Sequence, residues 1–349
     1  MRIAVDVMGG DHGSGVIMDG VKMALQGDTT VTELFLVGDQ VEIESGLRRQ
    51  SWQDPRLKIF HASEVLSMED KPLTAVRRKK DCSLVRAIEL VRDGRAESII
   101  SAGNTGGLIA ASSLILRRLE GIERPAIAAI MPAAELDFIL IDAGASLDCR
   151  PMHLLQFAIM GGLYAKLMLG HEKPTVGILS NGSEEFKGTE VTREALKFCR
   201  HAGFEFLGYV EGNDMFAGRV NVVVTDGFVG NIVLKAAEGL GRCIVGLLKS
   251  ELTASPVRKL GAALSRGAFK TLKRRMDPES HGGAPVLGLN GNVFKIHGSA
   301  RARSVMNAVR QATEATQQHL NRHILEAVSG ATERLAAAGL LPAAAPVKA

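Results

Sequence analysis

The chain has 349 residues, 46% of them hydrophobic and 4% aromatic, with a formal net charge of +4. That apolar content builds one large core or two smaller ones. So mild a charge and so few aromatic rings argue against a nucleic-acid partner. No apolar run approaches the roughly 18 residues that span a bilayer, and Met1 leads almost directly into a strand pattern, so neither a span nor a leader is expected. Cys82, Cys149, Cys199 and Cys243 are scattered without a C-x-x-C pair. That suits a reducing cytoplasm and gives no sign of a zinc site or disulfide framework.

Taken in chain order, the first predicted strand is Ile3 to Val7, which runs through Gly9, Gly10 and Asp11 into an apolar helix from Val16 to Leu25. Strands Glu33 to Val37 and Leu57 to Phe60 follow. Next comes a cationic cluster, Arg77-Arg78-Lys79-Lys80, after Pro72. A solvated helix face is its ordinary reading, but the turns supply so few other cations that phosphate binding competes. Ser98 to Ser101 is the fourth strand, turning at Gly103, Asn104, Thr105 and Gly106 into a helix from Leu108 to Leu116. Ala126 to Met131 and Phe138 to Asp142 are separated by only a short loop and read as an antiparallel pair. Met152 to Leu169 is one long apolar helix, with Pro151 at its start and Gly170 at its end.

Thr175 to Leu179 is followed by a polar turn, Asn181 to Glu190, that places Lys187 at the entry of a helix from Thr189 to Cys199. After Phe204 to Tyr209 comes the β-branched run Asn221 to Thr225, as expected of a strand buried on both faces. Asp226, Gly227, Gly230 and Asn231 then break the pattern before a helix from Ile232. Pro256 to Met276 differs from the rest. It carries Val257, Leu260, Leu264, Phe269 and Leu272 largely at helical spacing, with cations and no acid, which fits a membrane-facing element as well as an ordinary packed helix. These elements compose an α/β protein with helices on both faces of a largely parallel sheet. We assign 1–335 to a single α/β domain, 245–280 to a helical protrusion within it, and 336–349 to a disordered tail.

Glycine turns from a strand into a helix present backbone N–H groups to an anion. Polar residues in such turns are Asp6, Gly9, Gly10 and Asp11; Ser101, Gly103, Asn104, Thr105 and Gly106; Asp142, Gly144 and Ser146; the stretch containing Lys187; and Asp226, Gly227 and Gly230. In an open parallel sheet these turns share one edge, where ligands bind. Repeated turns of this type suggest a phosphate-bearing substrate. No Walker A loop, G-x-G-x-x-G, H-E-x-x-H or G-x-S-x-G occurs, so no metal, cofactor or covalent serine or cysteine mechanism is expected. His12, His281 and His297 lie beside glycines, and none pairs in sequence with a nucleophile.

Six ordered motifs complete the reading: Ala4-Val-Asp-Val-Met-Gly-Gly-Asp11, Ala75-Val-Arg-Arg-Lys-Lys80, Ser101-Ala-Gly-Asn-Thr-Gly106, Lys187-Gly-Thr-Glu190, Val224-Thr-Asp-Gly-Phe-Val-Gly-Asn231, and Gly282-Gly-Ala-Pro285 with His297-Gly-Ser299. On these the chain resembles the bacterial phosphate acyltransferases of the PlsX family, from Ile3 to about Thr316. Ser14-Gly15 and Ser146 depart from the family pattern. The resemblance implies a fold like the isocitrate and isopropylmalate dehydrogenases, a homodimer, and conversion of acyl-acyl carrier protein and inorganic phosphate to acyl phosphate. It also implies a cytoplasmic enzyme, peripheral to the inner face of the cell membrane, supplying a membrane glycerol-3-phosphate acyltransferase. Lys187 and Asn231 are the catalytic residues it carries over, and His297 joins the candidate phosphate-binding residues. Phosphate is itself a nucleophile, so the site needs only to position it and to stabilise the oxyanion, with amides near Gly103 to Gly106 and Gly230 as phosphate donors. A coenzyme A-dependent phosphotransacetylase, a dehydrogenase of related fold and a non-catalytic membrane scaffold are the competing readings.

Overall fold

The computed structural model describes residues 1–275 and 282–341. Its strands are β1 (Arg2–Asp6), β2 (Glu33–Gly38), β3 (Leu57–His61), β4 (Ser98–Ser101), β5 (Ala126–Met131), β6 (Phe138–Ile141), β7 (Val176–Leu179), β8 (Phe206–Val210), β9 (Val222–Val224), β10 (Ala284–Leu287) and β11 (Asn292–Lys295). They form one 11-stranded sheet in the order β3-β2-β1-β4-β11-β10-β5-β6-β9-β7-β8. β3, β2, β1, β4 and β11 are mutually parallel, as are β6, β9, β7 and β8. Between these blocks β10 and β5 are antiparallel to both of their neighbours. The two parallel blocks therefore run in opposite directions.

The sequence reading finds nine of these strands and misses β10 and β11. Pro285 has no N–H for a ladder, which speaks against a central strand. It is tolerated because β10 pairs with β5 only from Val286 onward. The short β5–β6 pair is antiparallel, as its loop length suggests.

Alternation along the strands divides the core. Ile3 and Val5 face one side, with Leu34, Leu36, Ile139 and Ile141, while Ala4 faces the other, with Phe35, Val37, Ile99 and Val293. Helices α1 (Ser14–Gly27), α2 (Gln40–Arg49), α6 (Pro151–Leu169), α7 (Glu190–His201), α12 (Ala302–Gln317) and α13 (Leu320–Ala337) cover the first side. At Gly20 a Cβ would lie 2.4 Å from the Ala302 carbonyl oxygen, so only glycine lets α1 approach α12 this closely. The opposite side carries α3 (Pro72–Arg78), α4 (Ser83–Arg92) and α5 (Thr105–Ile115) over one block, with α8 (Gly212–Phe216) and α9 (Gly227–Thr253) over the other.

Three readings of helices change. α6 is long and apolar enough to cross a membrane, although His153, Gln156 and Lys166 interrupt its apolar run. Most of it is buried against the sheet and helices α7 and α13. α9 begins at Gly227 rather than Ile232, because Asp226 caps it by accepting a hydrogen bond from the Val229 amide at 2.9 Å. The basic segment is two helices, α10 (Pro256–Leu264) and α11 (Arg266–Arg275), interrupted at Ser265. Met276, His281 and the tail beyond Leu341 lie outside the described residues.

Candidate active site

Because the blocks are opposed, the glycine turns do not share one edge of the sheet. β1, β4 and β11 end at one edge, and β6, β7 and β9 at the other. At the first edge Asp6 is buried and its Oδ2 accepts a 2.7 Å hydrogen bond from the Ser101 hydroxyl. A Cβ on Gly9 would lie 2.6 Å from the Gly103 amide nitrogen, so the turns after β1 and β4 are in direct contact. Gly10 has φ +101°, a left-handed conformation that suits glycine. The Asp11 amide donates to the Gly298 carbonyl at 2.8 Å, which brings the turn after β11 alongside. Asp6, Gly9, Gly10, Asp11, Ser101, Gly103 and His297 thus converge here.

Asn104, Thr105 and Gly106 begin α5. The Asn104 side chain accepts from the Gly107 amide at 2.9 Å and donates to the carbonyls of Ser67 and Met68. That fastens the segment before α3 to the lip of the crevice. Arg77 and Arg78 are exposed in the last turn of α3, while Lys79 is drawn into an ion pair with Asp70 at 2.6 Å.

At the second edge Asp142 is wholly buried. Its carboxylate accepts hydrogen bonds from the amides of Ile127, Gly144, Ala145 and Ser146. Burial nevertheless raises its carboxyl to about 6, with those amides pulling the other way. The side chain thus braces the turn from within. Gly227 and Gly230 press on this turn, and the Asn231 side chain packs over Gly144. Lys187 is half-buried in the turn after β7, the strand beside β9, with its ammonium 5.6 Å from the centre of the Phe186 ring. Lys187 and Asn231 therefore leave the same sheet edge on neighbouring strands.

Some backbone donors expected to face phosphate are already engaged. The Gly103 amide donates to the Ser101 hydroxyl at 3.0 Å, and the Gly230 amide to the Asp226 carbonyl at 2.9 Å. The sequence shows the turns but not how their amides are satisfied.

α9 connects the two edges. It leaves the second edge and crosses the sheet, with Leu234 packed against both apolar clusters of that face. Asn231, Lys235 and Glu238 recur at i, i+4 and i+7, on one side of the helix. The charges of Lys235 and Glu238 act on His297 at the first edge, and Lys235 also acts on Lys295.

Lys295 has no place in the sequence reading. Its ammonium donates to the Ala102 carbonyl at 3.2 Å and to the Ile296 carbonyl. Burial lowers it to about 8, opposed by Asp6 and Asp11 and assisted by Lys235. Burial raises the Asp6 carboxyl, opposed by the hydroxyls of Ser101 and Ser83. It lowers His297, with Lys235 adding to the effect. The available signal was Lys295 two residues before His297-Gly, but without β11 it had no position in the fold. The structure also pairs His297 Nδ1 with the Ser299 hydroxyl at 2.7 Å. That nitrogen also accepts from the Ser299 amide at 3.2 Å, so the contact closes a local turn. Among the described residues no group of three His, Cys, Asp or Glu side chains is placed to hold a metal.

Comparison with known proteins decides among readings that this geometry leaves open. A family model described as "Fatty acid synthesis protein" matches residues 1–323. The phosphate acyltransferase of Syntrophotalea carbinolica is 43% identical over 323 residues, covering 93% of this chain and 92% of that protein. The chain belongs to the phosphate acyltransferase family. A second relative, the phosphate acyltransferase of Pelotomaculum thermopropionicum, is 44% identical over 328 residues, covering 94% of this chain and 95% of that one. Among solved structures, a phosphotransacetylase from Streptococcus pyogenes is similar with a TM-score of 0.62 at 17% identity, covering 91% of this chain and 94% of that one. At that identity the likeness is one of fold. The matched family region spans β1 to α12 and so includes both turn clusters and α9.

Proposed function

We propose that this acyltransferase moves an acyl group from the thioester of acyl carrier protein to inorganic phosphate. A phosphate oxygen attacks the thioester carbonyl, the tetrahedral intermediate collapses, and the carrier thiol leaves with the proton of hydrogen phosphate. The observation that carries this reading is the two clusters of polar turns at the sheet edges, linked by α9, with Cys82, Cys149 and Cys199 held in their neutral forms. Burial pushes Cys149 up to about 12 and raises Cys82 and Cys199 as well. Lys187 and Asn231 stabilise the developing oxyanion, where one donor is worth roughly 3 kcal/mol.

The surface supports two partners. α9 exposes Ile232, Leu240, Ile244, Val245 and Leu247, each at least half exposed, an apolar face suited to a second copy of the chain. α10 exposes Val257, Leu260 and Leu264 beside Arg258 and Lys259, which suits the anionic inner surface of the cell membrane. Acyl phosphate released there passes to a membrane glycerol-3-phosphate acyltransferase.

The test is incubation with acyl-acyl carrier protein or acyl-coenzyme A, with and without phosphate, followed by hydroxylamine trapping. Phosphate-dependent acyl hydroxamate from the carrier-protein substrate is expected, with no acyl adduct on the enzyme by intact mass. Preference for acyl-coenzyme A would instead favour a phosphotransacetylase. An adduct on Ser299 or a cysteine would replace direct attack with a covalent mechanism.

A further inference from the structure

The turn amides at Gly103 and Gly230 are engaged within the protein, so backbone donors there do not account for phosphate binding. Two lysines stand near the first edge. Lys295 sits at the carboxyl end of β11, held by the Ala102 and Ile296 carbonyls beside the Gly9–Gly103 contact. Lys235 approaches from α9, paired with Glu238 at 3.0 Å, and Arg242 stands 3.8 Å from the same carboxylate. We infer that Lys295 and Lys235 form the seat for inorganic phosphate, clamping it between the floor of the crevice and α9. This rests on the acyl-transfer reading and supplies the binding residues that reading lacks.

The two cations come from different layers of the fold: Lys295 is half-buried among the turns, while Lys235 is 51% exposed on α9. The charge of Lys235 disfavours the ammonium form of Lys295, and a dianion between the two removes that cost. A carboxylate or hydroxyl ligand would neutralise less of the pair. The acidic groups nearby are compatible with this. Asp6 lies beneath the turns, and burial favours its neutral form. Asp11 acts on Lys295 and His297 from the turn after β1 and helps to hold both in their charged forms. Glu238 remains the partner of Lys235 and Arg242. Lys235 lies one helical turn along α9 from Asn231 and on the same side, so phosphate held there is in reach of a thioester carbonyl at Asn231.

Lys295→Met, Lys235→Met and Lys295→Arg in the full-length chain test the seat by two readouts. The first is steady-state kinetics. Each Met variant should raise KM for phosphate about 10-fold or more with little change in KM for acyl-acyl carrier protein, and Lys295→Arg should recover much of the loss. The second uses no thioester. Phosphate alone should raise the melting temperature of the wild type, and the rise should vanish in the Met variants. If Lys295→Met fails to fold, Lys235→Met on the exposed face of α9 carries the test by itself. Unchanged phosphate KM and an undiminished thermal shift in Lys235→Met would overturn the inference. Equal increases in both KM values would do the same, because they would indicate a structural role. A wild type that is stabilised by phosphate but makes no acyl phosphate would overturn the acyl-transfer reading and leave the phosphate seat standing.

Discussion

The carbonyl oxygen of Asp142 occupies the space beside Gly230, only 1.9 Å from where a Cβ on that glycine would lie. The first turn of α9 thus rests directly on the turn after β6. Backbone cannot move aside as a flexible side chain can, so Gly230→Ala should force the two turns apart. Overpacking of this kind costs about 1–3 kcal/mol, and more where backbone must shift. A clearly lower melting temperature with reduced turnover is expected. An unaltered melting curve would show that α9 can slide on its bed.

Lys187→Ala should reduce turnover about 100-fold, the scale of losing one oxyanion donor, while changing the melting temperature little. Lys187 is only half-buried, and its amide bond to the Glu184 carbonyl survives the substitution. Asn231→Ala should act similarly, since its side chain covers Gly144 without bracing the core. Near-normal turnover in a folded Lys187→Ala protein would remove that lysine from the chemistry.

The phosphate seat predicts a pH dependence with a definite sign. Burial favours the neutral form of Lys295 and brings its midpoint down to about 8. Phosphate attraction needs the ammonium, so KM for phosphate should be lowest below that midpoint and rise as pH passes through it. Bound phosphate favours the charged form, so turnover at saturating phosphate should begin to fall only at higher pH. Lys295→Arg stays charged throughout, and its phosphate KM should lack the alkaline rise. A rise of equal size in that variant would assign the effect to another group.

Membrane binding is tested on α10. Leu260 and Leu264 are 65% and 83% exposed, so changing both to glutamate disturbs no core. Flotation with anionic vesicles should be strong for the wild type at low salt, weaker at high salt, and weakest for the double variant. Activity on soluble acyl-acyl carrier protein should persist in that variant. Equal flotation of the two proteins would assign the stripe to a contact between copies of the chain.

Local pattern revealed much of this architecture. The run around Val222–Val224 reads as a doubly buried strand and proves to be one, and Asp226 with its glycines reads as a strand-to-helix turn. The candidate residues were legible too, because glycine turns and polar side chains sit together in sequence. Their individual tasks were not. Asp142 reads as a ligand for substrate, yet its oxygens are taken by four backbone amides of its own neighbourhood.

Periodicity, caps and turn chemistry act over a few residues, so the sequence by itself determined nine of the strands, most helices and the identity of the polar turns. Strand direction is set by pairing partners far apart in the chain. The antiparallel pairings of β10 with β11 and with β5, which together with the β5–β6 pair oppose the two blocks, were therefore invisible until the chain folded. Lys295 is the sharpest case. Its lowered proton affinity comes from burial and from Lys235, against the pull of Asp6 and Asp11, and two separate stretches of sequence bring these charges to it. Only tertiary structure decides desolvation and the company a charge keeps, because both depend on what the rest of the chain places around it.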